Sequence, residues 1–225
     1  MFASLAQNLA APHPNAIFAA AFVNTADLPR RVVPPAMHFA QDSSIYEEGD
    51  TATCFYRVVS GVVRTCRFTA DGRRHIDAFY AAGDVFGFEI GTEHGFSAEA
   101  VTSCALVAIR RRGAEEGAAR DEGSAMQLFG YAMRQLERAR AHSQLLGRCS
   151  AAQKMAAFLL ECEAGGAGST IELPMTRQDI ADYLGLTIET VSRSLAQLEK
   201  SGVITLRTAR LILVRNRGAL QDMSA

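Results

Sequence analysis

Cysteine is scarce in this sequence, and no two cysteines stand in a C-x-x-C arrangement. Five cysteines are an odd number, and they lie far apart, which fits neither a disulfide framework nor a zinc site. We interpret them as buried or half-buried thiols in a reducing compartment. They are Cys54, Cys66, Cys104, Cys149 and Cys162.

Charge is missing from the first 26 residues, which raises the question of a signal peptide. The positively charged start of such a peptide is absent, and Pro12 and Pro14 interrupt the segment. The apolar run that follows, residues 16–23, is too short to cross a bilayer. We therefore interpret residues 1–30 as an N-terminal arm on a cytoplasmic protein that has no membrane partner.

An overall excess of one charge sign is also absent, because the formal net charge is −1. The charge is unevenly distributed, however. Residues 187–217 contain six lysines or arginines and only two glutamates, a net charge of +4. Many sequence-specific DNA-binding proteins are basic only locally, so this end of the chain is the candidate for contact with nucleic acid.

Turn-forming glycines recur every eleven or twelve residues between about residues 49 and 87. This spacing is typical of short antiparallel strands joined by turns. The β-prone runs between the turns predict a small β-roll or jelly roll. The predicted strands are residues 55–59, 62–68 and 76–80, with a further run at 98–109.

Helix-forming residues take over after the arginine cluster at 110–112. Residues 124–148 contain no proline and predict a long helix, and its apolar residues Met126, Phe129, Met133 and Leu136 follow a heptad-like 3-4-3 spacing. This seam fits two interpretations, a helix packed on its own domain or a helix that pairs with a second copy. A second helix is predicted at 151–163, then a glycine-rich loop at 165–169 and a short strand at 171–173.

The segment from Thr176 to Ile204, TRQDIADYLGLTIETVSRSLAQLEKSGVI, predicts a helix-turn-helix. Thr176 and Asp179 resemble a capping box at the start of the first helix. Gly185 permits the tight turn, and Thr187 is a suitable N-cap for the second helix. The hydrophobic residues after Ile204 predict a β-hairpin wing in which Arg207 and Arg210 contact phosphate.

The second helix has an apolar side, with Ile188, Val191, Leu195 and Leu198, and an opposite polar side. A guanidinium matches O6 and N7 of guanine, and a carboxylate can accept a hydrogen bond from N4 of cytosine. We therefore predict that Arg193 and Glu189, together with Ser192, read bases in the major groove. Predicted contacts to the DNA backbone come from Thr176, Arg177, Thr187, Thr190, Lys200, Arg207 and Arg210.

With these motifs, the chain from about residue 30 to 217 resembles the CRP/FNR superfamily of bacterial regulators. The resemblance rests on the turn at 83–87, the long helix and the residues LGLTIETVSR at 184–193. Glu-x-x-Ser-Arg resembles the FNR branch, and residues 86–100 are similar to the FixK subgroup, whose members respond to low oxygen through an upstream cascade. The resemblance implies a homodimeric activator that binds TTGA-N-TCAA-like palindromes and contacts RNA polymerase.

In cyclic-nucleotide-binding members of this superfamily, a glutamate and an arginine hold the ligand in the β-roll. Here Phe88 stands at the place of the glutamate, with Glu89 one residue later, and Phe96 precedes Ser97 where the arginine belongs. Without a cation to pair with a cyclic phosphate, the site predicts no cyclic nucleotide. No cysteine precedes Cys54, so the ligand set of an FNR-type iron–sulfur cluster is also missing. We expect no cofactor and no metal, with the apolar rings filling the pocket.

Two alternatives stay open at this point. One is an effector-gated regulator of the same fold that binds a small ligand, or haem through His75, His94 or a cysteine. The other is a cupin-type metalloenzyme, which the dispersed histidines and the missing His-x-His disfavour. Our interpretation is a non-enzymatic regulator of the α+β class. Its domains are an N-terminal arm (1–30), a β-roll (31–113), a dimerisation helix (114–148) and a winged helix-turn-helix (149–225).

Overall fold

The computed structural model describes residues 35–148, 150–163 and 170–224. The predicted arm at 1–30, Cys149 and the predicted loop at 165–169 therefore lie outside the described residues. The described part is an α+β structure, as predicted: a β-roll, a long helix and a small C-terminal domain of helices and strands. No helix among these residues is long and apolar enough to cross a membrane.

The β-roll consists of two four-stranded antiparallel sheets, with strand orders β1-β8-β3-β6 and β2-β7-β4-β5. Glycines with positive φ occupy the predicted turns, at Gly49, Gly61, Gly72 and Gly83. The eight strands are β1 (Met37–Phe39), β2 (Ser44–Tyr46), β3 (Cys54–Ser60), β4 (Val63–Phe68), β5 (Arg74–Tyr80), β6 (Val85–Phe86), β7 (Ser97–Ala100) and β8 (Cys104–Arg110).

The predicted strands at 55–59, 62–68 and 76–80 correspond to β3, β4 and β5. The prediction of one run at 98–109 is wrong, because the chain leaves one sheet after Ala100 and enters the other at Cys104. At this crossover Gly61 packs so closely that a Cβ atom would lie 2.5 Å from the carbonyl oxygen of Ser103. Hydrophobicity continues through the crossover, which is why the sequence pattern conceals it. The short strands β1, β2 and β6 were not predicted.

The segment predicted as a single helix at 114–148 is divided into α1 (Arg111–Arg120) and α2 (Glu122–Arg148). Asp121 separates them with an extended backbone conformation. Its carboxylate accepts hydrogen bonds from the backbone N–H of Ser124 at 2.8 Å and from the Ser124 hydroxyl at 2.7 Å. Asp121 therefore caps the start of α2, a role that is common for aspartate at a helix N-terminus.

One face of α2 is attached to the β-roll. The amide of Gln135 donates to the carbonyl oxygen of Val85 at 2.7 Å, and Arg138 forms an ion pair with Asp84 at 2.6 Å. Tyr131 is buried in the same interface. The β-roll and α2 are thus joined by both polar and apolar contacts.

The C-terminal domain contains α3 (Ala151–Glu163), which matches the predicted helix, followed by β9 (Thr170–Glu172), α4 (Arg177–Leu184) and α5 (Ile188–Lys200). Strands β10 (Ile204–Leu206) and β11 (Leu211–Val214) form the hairpin wing and join β9 in one antiparallel sheet, before α6 (Arg217–Ser224) ends the described chain. The core of this domain is continuous with apolar residues of the β-roll such as Ile76 and Phe79. The two domains are therefore in direct contact.

Candidate nucleic-acid interface

The turn between α4 and α5 has the predicted geometry. The Thr176 hydroxyl accepts a hydrogen bond from the N–H of Asp179, and the Asp179 carboxylate accepts one from the N–H of Thr176, which forms a complete capping box. Gly185 ends α4 at φ 62°, in the left-handed region where glycine carries no Cβ penalty. The Thr187 hydroxyl then caps α5 by accepting from the N–H of Thr190. Local sequence thus fixes the angle at which α5 leaves the turn.

Helix α5 is buried on one side and open on the other. Val191, Leu195 and Leu198 are buried in the domain core, whereas Glu189 and Arg193 are exposed. Among the residues predicted on the apolar side, Ile188 differs, since it lies at the exposed first turn. The face predicted to enter the major groove is therefore accessible with the β-roll in place.

Hydrogen bonds hold the predicted base-reading side chains in position. The guanidinium of Arg177 donates to the Ser192 hydroxyl at 3.1 Å, and that of Arg193 donates to the Thr190 hydroxyl at 3.3 Å. The pKa of Glu189 is lowered, first by a hydrogen bond from its own backbone N–H and then by one from the Thr187 hydroxyl. This carboxylate is therefore ionised at neutral pH and can act only as an acceptor.

The residues predicted to contact the DNA backbone surround this face. Some of their side chains are exposed, and others already form hydrogen bonds within the protein. Arg207 and Arg210 are exposed in the turn between β10 and β11, which the Thr208 hydroxyl shapes by accepting from two backbone N–H groups. Lys200 is exposed at the end of α5. The Thr176 hydroxyl, in contrast, already donates to Asp179 at 2.8 Å besides capping α4.

Two arginines in the basic segment have partners within the domain, which charge counting did not reveal. Arg217 forms an ion pair with Glu163 at 2.9 Å, and Arg215 donates to the Thr205 hydroxyl at 3.1 Å. The charge presented to a polyanion therefore comes mainly from the exposed α5 and wing residues.

The predicted dimer seam lies on the face of α2 that points away from its own β-roll. Met126 and Phe129 are more than half exposed, at 62% and 59%, and Leu136 is 41% exposed. Met133, between them, is partly buried. An apolar stripe this open on a helix that already packs on its own domain is typical of an interface.

The residues predicted to form a degenerate ligand pocket do not come together as one lining. Phe88 stacks on Phe55 with ring centroids 4.5 Å apart and lies against Tyr131 of α2, whereas Phe96 lies beneath the guanidinium of Arg67. The carboxylate of Glu89 accepts from the N–H of Gly95 at 3.2 Å. The Ser97 hydroxyl donates to Glu47 at 3.0 Å and accepts from the N–H of Glu48 at 2.9 Å.

The interior of the β-roll is instead filled by aromatic side chains that sequence reasoning did not single out. The rings of Tyr46 and His94 stack with centroids 3.6 Å apart, and Tyr56 and Phe86 pack beside Tyr46. Burial raises the pKa of Tyr46, so its phenol is neutral. The signal lay in the inward positions of β2, β3 and β6, which become recognisable only once strand register is known. Among the described residues, no group of three or more His, Cys, Asp or Glu could hold a metal ion.

Comparison with known proteins agrees with this architecture. Residues 36–121 match the cyclic nucleotide-binding domain, and residues 153–223 match the Crp-like helix-turn-helix domain. The chain is 44% identical to the nitrogen fixation regulation protein FixK of Azorhizobium caulinodans, over 83% of this chain and 78% of that protein. It is 42% identical to FixK of Rhizobium meliloti, over 80% of this chain and 82% of that protein.

Among solved structures, FixK2 from Bradyrhizobium japonicum superposes with a TM-score of 0.80 at 42% identity, covering 84% of this chain and 98% of that one. The similarity extends through both domains and the helix between them. The chain belongs to the CRP/FNR superfamily of DNA-binding transcription regulators, in its FixK-like subgroup.

Proposed function

We propose that the protein is a homodimeric, sequence-specific transcription activator that binds TTGA-N-TCAA-like palindromes in the control of genes at low oxygen. The observation that carries the proposal is the open polar face of α5, with Glu189, Ser192 and Arg193 held ready by neighbouring side chains. An α-helix fits the major groove, where each base pair presents a distinct set of donors and acceptors.

Each base-reading residue has a separate role. Arg193 donates two hydrogen bonds to guanine, Glu189 accepts one from cytosine, and Ser192 supplies a hydroxyl. The Arg177 guanidinium already donates to the Ser192 oxygen. The Ser192 O–H therefore stays available to donate to an acceptor on a base.

Contacts to phosphate hold the domain in register on the duplex. Arg207 and Arg210 at the wing tip and Lys200 at the end of α5 supply the positive charge. Further contacts to the DNA backbone come from residues at the two ends of the turn between α4 and α5, namely Thr176, Arg177, Thr187 and Thr190. These residues contribute affinity for any sequence, while α5 contributes discrimination.

Dimerisation follows from the apolar stripe Met126, Phe129, Met133 and Leu136. The β-roll covers the opposite face of α2, so a second copy of α2 is the partner that buries the stripe. A two-fold dimer presents two recognition helices to two half-sites, and a palindrome has the same symmetry. The dimer acts on DNA in the cytoplasm and is not an enzyme. As the superfamily resemblance implies, it contacts RNA polymerase.

We also propose that DNA binding needs no small-molecule effector. Polar side chains near the positions that hold the nucleotide in cyclic-nucleotide-binding members form hydrogen bonds within the protein instead. Glu89 accepts from Gly95, and Ser97 donates to Glu47. Stacked rings of Tyr46, His94 and Phe86 fill the space between the sheets. A packed interior of this kind supports one arrangement of the β-roll without a ligand to order it.

Selection of bound sequences from random DNA, at a stated salt concentration, tests this function. The expected product is a palindrome with TTGA-type half-sites whose centres lie about one helical turn apart. Recovery of unrelated, asymmetric sequences would contradict the assigned readout.

A further inference from the structure

A buried cluster of charged residues joins the β-roll to the first helix of the helix-turn-helix. Arg64 of β4 and Arg74 of β5 both donate to one carboxylate oxygen of Asp179 on α4, at 3.1 and 2.5 Å. Arg74 also donates to Asp182 on α4 at 2.8 Å. Glu99 of β7 accepts from Arg64 at 2.7 Å and keeps that guanidinium in place.

The two oxygens of Asp179 have different partners. Oδ1 faces the arginines of the β-roll, whereas Oδ2 accepts from the N–H and the hydroxyl of Thr176 in the capping box. The Asp179 side chain is only 2% exposed, and that of Arg64 is 10% exposed. One carboxylate therefore links the cap of α4 to the sheet of the neighbouring domain.

These ion pairs fix the orientation of α4 on the β-roll, which the apolar part of the same contact does not. Phe79 of β5 packs on Tyr183 of α4, with ring centroids 5.4 Å apart, and this contact favours burial without fixing a direction. The forked guanidinium of Arg74, held by two carboxylates one helical turn apart, fixes both the position and the rotation of α4. Since α4 and α5 share one core, α5 is fixed with it.

We propose that Arg64 and Arg74 are positioning residues for DNA recognition, which set the separation and angle of the two recognition helices in the dimer. The proposal rests on the proposed function, because it concerns how a dimer matches two half-sites. The β-roll is attached to α2, which carries the dimer seam, and the ion pairs attach α4 to the β-roll. They thereby complete a rigid path from the dimer axis to α5 that bypasses the junction between α2 and α3.

The test is the dependence of affinity on the spacer between two half-sites. Each added base pair moves a half-site by about 3.4 Å and rotates it around the helix axis, so a rigid dimer tolerates only one spacer. The wild-type protein should lose affinity steeply when the spacer is changed by one base pair. Arg74→Gln should reduce this preference about tenfold, a coupling of ordinary size between two parts of a protein.

Arg73→Gln is the matched control, because Arg73 is the neighbouring residue and its guanidinium pairs with Asp71 in the same turn of the β-roll, away from α4. It should keep the wild-type spacer preference. Asp182→Asn removes one arm of the cluster and leaves Asp179 and its cap intact, so it carries the test should Arg74→Gln fail to fold. In the double variant with Arg74→Gln, Asp182→Asn should reduce the spacer preference by less than it does alone, because the two residues form one ion pair.

The outcomes separate the two proposals. Wild-type spacer preference in folded Arg74→Gln and Asp182→Asn dimers would overturn the positioning role and leave the proposed function intact. If the wild-type protein bound no palindrome, whatever the spacer between its half-sites, the proposed function would be overturned. In that case, hydrogen exchange of the free protein still decides the inference: amides of α4 should exchange faster in Asp182→Asn than in Arg73→Gln, and equal rates would contradict it.

Discussion

At the scale of single residues, Arg193 and Arg207 carry the same charge, but we propose that they contact DNA from different elements and in different ways. Arg193 lies on the exposed face of α5, and Arg207 lies in the wing turn. We predict that Arg193→Ala costs about 1–3 kcal/mol of binding free energy and relaxes discrimination at one base pair. Fluorescence anisotropy with the palindrome, single-base variants and a random duplex measures both effects.

Arg207→Ala is the matched control for that experiment. A lost phosphate contact should weaken binding to all sequences about equally and lower the slope of affinity against salt by about one. If Arg193→Ala instead weakened the palindrome and the random duplex by the same factor, Arg193 would be a phosphate-contacting residue and the base-reading assignment would be wrong.

Glu161 of α3 makes a prediction about pH. Burial raises its pKa to about 8 from the ordinary 4.5, so between these values it is protonated in the native state and ionised in the unfolded state. The unfolded state then binds fewer protons, and this group lowers the free energy of unfolding by about 1.4 kcal/mol per pH unit over that interval. Glu161→Gln should therefore stabilise the protein more at pH 8 than at pH 5, as measured by urea unfolding.

An exposed carboxylate provides the comparison. Glu172→Gln, on the surface of β9, should change stability little at either pH. An equal stability gain from Glu161→Gln at pH 5 and pH 8 would show that this carboxyl does not titrate between them.

At the scale of elements, we propose that dimerisation depends on α2. Phe129→Glu places a charge in the middle of the exposed apolar stripe, where it would be buried without a partner in the dimer. We predict a folded monomer in sedimentation velocity and loss of specific DNA binding. Ala119→Glu adds the same charge on exposed α1 and should remain a dimer. A dimeric Phe129→Glu protein would mean that the copies meet elsewhere.

The elements differ in how well the sequence predicted them, for physical reasons. Capping by Thr176 and the turn at Gly185 are local, so their residue types alone predicted α4, α5 and the face of Arg193. The crossover between Ala100 and Cys104 depends on packing against Gly61, which lies far away in sequence. The break at Asp121 was missed because helix-forming residues continue on both sides of it.

Contacts between distant residues were the least predictable part of the candidate sites. Asp179 was assigned to the cap of α4, but its second oxygen meets Arg64 and Arg74, more than a hundred positions away in sequence. The rings filling the β-roll were likewise attributed to Phe88 and Phe96, whereas Tyr46, Phe86 and His94 stack inside it. Strand register and domain contact decide both arrangements, and neither leaves a pattern in a single sequence.

At the scale of the whole molecule, polar contacts connect the β-roll to the dimerisation helix on one side and to the helix-turn-helix on the other. The β-roll holds α2 through Gln135 and Arg138, and it holds α4 through Arg74. The reading face of α5 stays exposed while these contacts are made. The interior of the β-roll is filled by its own side chains, which supports the proposal that DNA binding needs no effector.

Titration of the purified wild-type protein against a TTGA-N-TCAA-like palindrome and a scrambled duplex tests that claim most directly. The measurement is made in air with a thiol reductant, with and without added cAMP. We predict that the palindrome binds at least about 10³-fold more tightly than the scrambled duplex in the absence of any nucleotide, and that cAMP leaves this ratio unchanged. Equal affinity for the two duplexes, or preference for the palindrome only after cAMP is added, would contradict the account.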